Sequence, residues 1–439
     1  MDEEYKDQIS KDQFSSHNQE NIVSDQPNNV DFESLHYSIS AVVNNLDLPS
    51  NLEVIKANIK ISTKFIANFN NQDVFNSFIE ILQTNKAECG LIMISIIGRL
   101  WKLEESLDSA FNDLQIPEIM ISLFKENPIP NIQYKITKAL TNFAAISQNN
   151  IEILISLDFL SLLNMFIVES DGYETRDVTC AFKFLQNFCK FGITDYSYEL
   201  MQFLPHLSHY IVSSEKKLRE LAFQLLHLFL SNEILFERSC LINIQSQLVE
   251  SARLDLIQND LILFSCVYKF IENGFTNCFA SDDFITSINW HLENSVRYNI
   301  KTSILIVYYM TDKHFELIEK HHVYESLFLF VDSSIFDNKY WSIKTICRYL
   351  SKSSYDYQVQ YIDKLLDSIP DFVESLDEKT IIDLLSILIN LLTNNNEVYK
   401  PIMIDLDLPD IFDSDIDTKL DETDDLISQF LKFFEEPEN

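Results

Sequence analysis

The sequence predicts an all-α protein built from stacked helical repeats. Apolar residues recur at helical spacing from Ser34 onward, as at Leu154, Leu157 and Leu160, whereas the alternation typical of strands is rare. The same layout of helix, turn and helix returns along the chain, for example around Asn142 and again around Asn187. Helical periodicity and this long repeat together favour a repeat architecture over a closed globular bundle.

The repeat has a measurable period. Successive equivalent positions are 39 to 45 residues apart and fall at Arg99, Asn142, Asn187, Phe229, Tyr268, Tyr309, Arg348 and Asn390. Armadillo and HEAT units have periods of ~40 to 47 residues, and such units bury their apolar faces only by stacking. We therefore expect a right-handed superhelical solenoid of about nine to ten armadillo-type repeats, with function in an extended concave groove.

The two ends of the chain differ from the repeats. Residues 1–33 are rich in Asp, Asn, Gln and Ser, which predicts a disordered acidic and polar arm before a solenoid at 34–436. Near the carboxyl end, 405–425 is expected to be an acidic, solvated segment that is available to a basic partner. Leu426, Phe430 and Phe433 have the spacing of a buried stripe, which predicts a capping helix at 424–435.

Charge narrows the partners. The 439 residues include 33 Lys and Arg against 67 Asp and Glu, for a formal net charge of −34. Such a chain repels phosphate backbones and anionic membranes, so we expect no nucleic-acid partner and no membrane insertion. Proteins with Lys/Arg-rich segments are the expected partners.

Composition also disfavours an enzyme. Five glycines and the absence of phosphate-loop motifs make nucleotide-binding α/β folds poor candidates, and the seven cysteines include no C-x-x-C pair. No catalytic arrangement and no metal-ligand spacing stands out, so we expect no enzyme activity, no cofactor and no metal. The first residues resemble neither a signal peptide nor a transit peptide, and the expected location is cytoplasm and nucleus.

Several short segments resemble the importin-alpha family. Residues 139–144, A-L-T-N-F-A, resemble the A-L-T-N-I-A stretch on the third helix of an importin-alpha armadillo repeat. Residues 185–190 and 202–205 resemble L-S-N-L-C-R and Q-I-L-P one repeat later, and 420–434 resembles the final half-repeat. Residues 39–45 resemble part of the opening repeat, so the likeness covers about residues 38–436 in register.

The resemblance implies an adaptor for nuclear import that reads basic nuclear localisation signals. In that family a ladder of Trp-x-x-x-Asn pairs lines the groove, since residues i and i+4 share a helix face. The Trp rings bind lysine side chains, and the Asn amides bind the backbone of the signal. The resemblance also implies docking of importin-beta on a basic amino-terminal segment and recycling by an exportin, although Lys6 and Lys11 are the only cations in residues 1–40.

The family's pairs map onto six pairs of positions in this chain. The main peptide-binding site would comprise Ser95 with Arg99, Lys138 with Asn142 and Lys183 with Asn187, joined by Glu169 and Asp171 as partners for a ligand lysine. A second groove site would comprise Phe264 with Tyr268, Leu305 with Tyr309 and Lys344 with Arg348. Two Asn positions of the main site match the family, and none of the six Trp positions does.

Two functions remain open from the residues. One is an importin-alpha-like adaptor whose signal binding is weakened by the missing Trp rings. The other is an armadillo-repeat interaction scaffold that has lost signal-peptide binding. Asn142 and Asn187 are then polar residues of a solvated face, Lys138 and Lys183 are exposed cations, and Tyr268 and Tyr309 pack within the solenoid.

Overall fold

A computed structural model of the chain describes ten stretches of residues. They are 32–59, 72–84, 88–103, 107–168, 174–191, 196–232, 244–254, 261–294, 298–414 and 420–435. The chain divides into two compact units, Met1–Gly192 and Ile193–Asn439, called unit 1 and unit 2. Nearly all of the predicted arm at 1–33, and both Glu169 and Asp171, lie outside the described residues.

The described part of unit 1 is helical. Its helices are α1 Phe32–Val43, α2 Leu48–Ile59, α3 Gln72–Thr84, α4 Glu88–Leu103, α5 Asp108–Asp113, α6 Ile116–Glu126, α7 Pro130–Ala144, α8 Gln148–Ser156, α9 Phe159–Val168 and α10 Thr175–Lys190. Trp101 is fully buried and packs against the rings of Phe111 and Phe143, with centroids 5.6 and 4.9 Å away. These rings join α4, α5 and α7 into one core.

Unit 2 is built in the same way. Its helices are α11 Ser197–Met201, α12 Leu204–Ile211, α13 Lys216–Leu230, α14 Ile244–Leu254, α15 Leu261–Glu272, α16 Asp282–Asn294, α17 Tyr298–Lys320, α18 Val323–Leu327, α19 Phe336–Leu350, α20 Tyr355–Tyr361, α21 Asp363–Leu366, α22 Glu378–Asp405, α23 Leu408–Ser414 and α24 Asp421–Leu431. Short 3-10 turns follow at Asn277–Phe279, Phe328–Phe330 and Val373–Ser375, and the described residues contain no strand.

The two longest helices each join two repeats. The backbone of α17 leaves helical geometry at His314, and that of α22 does so at Asn395. The part before each kink completes one repeat, and the part after it begins the next. Elsewhere the turns use residues in the left-handed region, such as Gln115, Asp158 and Asp407, with φ of 56°, 61° and 55°.

Within each unit, one helix of a repeat packs against its counterpart in the next repeat. We call these the ladder helices: α2, α4, α7 and α10 in unit 1, and α13, α15, α17, α19 and α22 in unit 2. All eight equivalent positions marked in the sequence, from Arg99 to Asn390, lie on ladder helices. The prediction of an all-α, armadillo-type repeat fold is confirmed.

The carboxyl end differs in detail from the prediction. The terminal helix α24 begins at Asp421 and ends at Leu431, whereas the sequence predicted a helix at 424–435. Phe430 is fully buried and its ring lies 5.3 Å from that of Phe412, while Leu426 and Phe433 are half-buried. Because α23 lies within 405–425 and buries Leu408 and Phe412, that segment is not solvated throughout; its residues 415–419 lie outside the described part.

No single helix in the described stretches is both long enough and apolar enough to span a bilayer. Helices α8 and α9 have the length and composition of a span only when taken together, and they are bent by 82° at the break between them. Nor do these stretches contain a group of three or more His, Cys, Asp or Glu side chains arranged to hold a metal ion.

Candidate functional site

The ladder helices of unit 1 are cross-linked by side chains at the equivalent positions. Arg99 Nη1 donates to the carbonyl oxygen of Lys56 at 3.0 Å, and Asn142 Nδ2 donates to that of Gly98 at 2.7 Å. Asn187 Nδ2 donates in turn to the carbonyl oxygen of Thr141 at 3.1 Å. Each of these residues therefore fastens its own helix to the preceding ladder helix, and the faces that carry them adjoin.

The hydrogen bond from Asn142 to Gly98 depends on the close packing of α4 against α7. A Cβ atom at Gly98 would lie 2.8 Å from the Cβ of Ala139 and 2.9 Å from its Cα, closer than real Cβ atoms come. Glycine at this position thus permits the approach of the two backbones. It also exposes the Gly98 carbonyl to the Asn142 amide.

The predicted main-site residues that the structure describes lie on one surface of unit 1. We define the unit 1 ladder face by Lys56 of α2; Ser95, Arg99 and Lys102 of α4; Lys135, Lys138 and Asn142 of α7; and Arg176, Lys183, Asn187 and Lys190 of α10. Within each helix these residues are three, four or seven apart, so they share a face. Lys138 and Lys183 are exposed, whereas Ser95, Asn142 and Asn187 are half-buried.

Several cations of this face lie close to the ring of Tyr134 or close to one another. The Arg176 guanidinium lies 4.8 Å from the ring centroid of Tyr134, and Lys138 Nζ lies 6.0 Å from the same centroid. Burial lowers the pKa of Lys135, and the nearby charges of Lys56 and Arg176 lower it further, while Glu53 opposes the shift. Burial also lowers the pKa of Arg99.

The corresponding positions of unit 2 lie in a different environment. Phe264 and Leu305 are 4% and 7% exposed, and the ring of Phe264 packs on that of His291 at 4.2 Å. Tyr268 and Tyr309 are half-buried with ring centroids 6.0 Å apart. The Tyr268 hydroxyl donates to Glu272 Oε1 at 2.6 Å; burial and this hydrogen bond raise the pKa of Tyr268.

Lys344 occupies an aromatic slot of its own protein. Its side chain is 5% exposed, and its Nζ lies 4.3 Å from the ring centroid of Trp341 and 5.3 Å from those of Tyr308 and Tyr340. The same Nζ pairs with Asp377. An internal lysine thus fills the kind of slot that Trp rings offer to a ligand lysine.

Arg348 is also neutralised from within. Its side chain is 6% exposed, and its Nε donates to Asp312 Oδ1 at 2.7 Å. Lys352 contacts the same carboxylate at 3.2 Å. The guanidinium lies 4.3 Å from the ring centroid of Tyr308, so Arg348 and Lys344 share one ring. Asn390 completes the row and donates to Gln358 Oε1 at 2.7 Å.

Sequence reasoning missed several members of these two surfaces. Lys135 and Arg176 belong to the unit 1 face, and Tyr308 and Trp341 enclose the cations of unit 2. Lys135 lies seven residues before Asn142, and Trp341 lies seven before Arg348. That spacing, two turns of helix, was the available signal.

Comparisons with known proteins place the fold but not a family. No family model matches the chain, and no curated protein matches it either. An engineered protein of known structure is similar over 91% of this chain and 98% of its own, with 11% identity and a TM-score of 0.67. A chain from a structure concerning the interaction between cadherin and beta-catenin, controlled by a conserved phosphorylation switch, is similar over 91% of this chain and 82% of its own, with 12% identity and a TM-score of 0.68.

Likeness at such low identity shows the fold alone. The armadillo-type architecture is shared with the second structure. The importin-alpha resemblance rests on the sequence motifs.

Proposed function

We propose that this protein is an interaction scaffold that binds an extended segment of a partner protein along the unit 1 ladder face. The observation that carries the proposal is the cross-linked row of Arg99, Asn142 and Asn187, which sets three repeats side by side in register. Polar and charged side chains of the adjoining helices then lie on one solvent-facing surface.

The row supplies groups that suit a peptide backbone. An Asn amide has two N–H donors and an acceptor oxygen, and one donor of Asn142 and of Asn187 is used by the preceding helix. The remaining capacity can pair with the backbone of an extended ligand. The armadillo-type neighbour from the cadherin and beta-catenin work supports a role in protein binding in general terms.

A peptide library tests this proposal without presupposing the ligand. Random 12-residue peptides on phage are selected against the full chain, and the recovered peptides are then tested on two variants. Ser95→Tyr places a ring on the ladder face, whereas Ser122→Tyr makes the same change on the exposed side of α6. We expect Ser95→Tyr to weaken binding at least about tenfold and Ser122→Tyr to leave it within about twofold. Peptides that bind both variants equally would overturn the proposal.

The importin-alpha resemblance gives a second candidate function, an adaptor that recognises lysine-rich nuclear localisation signals and moves between cytoplasm and nucleus. It is favoured by the placement of Asn142 and Asn187 on adjoining helices of unit 1. Importin-beta and an exportin are the partners that this candidate implies. Its second groove site is not favoured, because Phe264 and Leu305 are buried and Lys344 and Arg348 pair with acids of the protein itself.

A matched substitution separates the second candidate from the first. If the face is a weakened signal site, Lys138→Trp with Lys183→Trp supplies the missing rings and tightens binding of a lysine-rich peptide at least about tenfold. Adding Asn142→Ala and Asn187→Ala then removes that binding. Calorimetric titration of the three proteins gives the answer: no gain in the double Trp variant would exclude the adaptor.

A further inference from the structure

The charge of the unit 1 ladder face is opposite to that of the whole protein. The chain carries a formal charge of −34, yet cations outnumber acids on the four ladder helices of unit 1. The acids on these helices are Glu53, Glu88 and Asp177; the cations are Lys56, Arg99, Lys102, Lys135, Lys138, Arg176, Lys183 and Lys190. Helix α7 contains two lysines and no acid at all.

Internal pairing neutralises part of this charge. Glu53 pairs with Lys56 at 2.7 Å, and Glu174 pairs with Arg176 at 3.0 Å. Across the stretches that the structure describes, Lys135 and Lys138 form no ion pair. An excess of positive charge therefore remains at the middle of the face.

The spacing of the ladder matches an extended chain. Packed helices lie about 8–10 Å apart, and an extended peptide advances about 3.3 Å per residue, so one ladder step corresponds to about three residues. The span from α4 to α10 covers two such steps, about six residues. A short extended segment can therefore reach the cations of α4, α7 and α10, and Lys56 of α2 lies one further step away.

We propose that the unit 1 ladder face binds an extended acidic segment of a partner protein, whose carboxylates pair with the cations of successive ladder helices. This inference rests on the proposed function and adds the chemistry of the ligand. Asn142 and Asn187 hold the backbone, while Lys102, Lys135 and Lys138 receive the acidic side chains. A long nucleic acid fits less well because its phosphates continue beyond the face into a strongly acidic protein.

The test uses the full chain and two labelled peptides. Each peptide has 12 residues. Every third residue is aspartate in one peptide and lysine in the other, and the remaining residues are serine. Fluorescence anisotropy is expected to show the aspartate peptide bound at least about tenfold more tightly, with affinity falling as salt rises.

Charge reversal on the face is compared with reversal elsewhere. Lys102 and Lys138 are exposed, so the variant Lys102→Glu with Lys138→Glu should fold normally, which circular dichroism can check. We expect it to bind the aspartate peptide at least about tenfold more weakly than the parent does. Lys216→Glu with Lys217→Glu changes two exposed lysines of α13 in unit 2 by the same charge and should change affinity less than about twofold.

Each other outcome overturns the inference. If both double variants weakened binding of the aspartate peptide equally, the effect would come from the net charge of the protein and not from the face. If a 12-nucleotide oligothymidylate bound more tightly than the aspartate peptide, the ligand of the face would be a nucleic acid. Tighter binding of the lysine peptide, or binding of neither peptide, would refute an acidic ligand. The library selection then distinguishes the two proposals. If Ser95→Tyr weakens binding of the recovered peptides, the protein is still a scaffold that uses the unit 1 ladder face, but its ligand is not acidic.

Discussion

Unit 1 and unit 2 both carry cations at matching positions of their ladder helices, but in opposite environments. Lys138 and Lys183 of unit 1 are exposed, whereas Lys344 and Arg348 of unit 2 are buried. In unit 2 the rings of Tyr308 and Trp341 and the carboxylates of neighbouring helices surround these cations. The same place in the repeat can therefore recognise a ligand or complete the protein's own packing, depending on its neighbours.

The largest contrast is expected in stability. Lys344→Ala removes a buried side chain that contacts three rings and takes away the ion-pair partner of Asp377, so we expect a loss of about 2–3 kcal/mol. Asp377 is half exposed, which holds the loss below that of a fully buried pair. Lys138→Ala in unit 1 should stay within about 0.5 kcal/mol. Urea denaturation followed by circular dichroism measures both.

A control separates charge from packing at Lys344. Lys344→Met keeps the length and apolar stem of the side chain and should cost about 1 kcal/mol less than Lys344→Ala, because the packing on the rings is kept while Asp377 loses its ion-pair partner in both variants. If Lys344→Ala were as stable as the parent, the aromatic slot would contribute nothing to folding. The contrast between the units would then concern surface exposure alone.

A smaller effect is expected from the amides of unit 1. Asn142→Ala and Asn187→Ala each remove a hydrogen bond to a backbone carbonyl of the preceding ladder helix, which should cost about 1 kcal/mol. Asn131→Ala changes an exposed asparagine at the start of α7 and serves as the matched control, with a change within about 0.5 kcal/mol. Equal effects at all three positions would show that the cross-links do not stabilise the row.

The smallest effect depends on pH. Burial raises the pKa of Asp377, but the hydrogen bonds from Lys344 and Thr380 outweigh it and leave the pKa below its ordinary value. A carboxyl with a lowered pKa stabilises the fold above its unfolded pKa of about 3.9, and this contribution disappears as pH falls through the folded value. Asp377→Asn keeps the helix cap and should cost less than about 1 kcal/mol at pH 7.

The pH profile provides the check on this assignment. The difference between Asp377→Asn and the parent should shrink as pH falls below the unfolded pKa of about 3.9, and it should vanish once the parent's carboxyl is protonated in the folded protein. A difference that did not change as pH falls through this range would show that the substitution acts on packing or capping. The ion pair between Lys344 and Asp377 would then contribute little to the stability of unit 2.

The fold could be predicted from the sequence because the repeat produces a periodic pattern of residues. Arg99, Asn142 and Asn187 were correctly placed on successive helices since a period near 40 residues and helical spacing are both visible in the chain. The ends were harder to delimit, as in α24, because capping and short turns depend on neighbours such as Glu378, whose Oε1 accepts from the backbone N–H of Leu420 at 2.6 Å.

The environment of each site residue was beyond the sequence. Lys138 and Lys344 occupy the same repeat position, and whether either is exposed depends on residues some 30 positions away, such as Asp377 and Tyr308. The Asn142 amide could not be assigned to Gly98 without knowing how closely α4 approaches α7. Local spacing specifies the helix face but not what covers it.

Photocrosslinking can identify the surface that binds a partner segment, which we propose is the unit 1 ladder face. A peptide selected from the library is made with a photoreactive benzophenone at its centre, bound to the full chain and irradiated, and the attached residues are identified by mass spectrometry. We expect attachment to α4, α7 and α10, around Ser95, Lys138 and Lys183. Attachment concentrated on α17, α19 and α22 would contradict it, because the cations of those helices would then be open to a ligand.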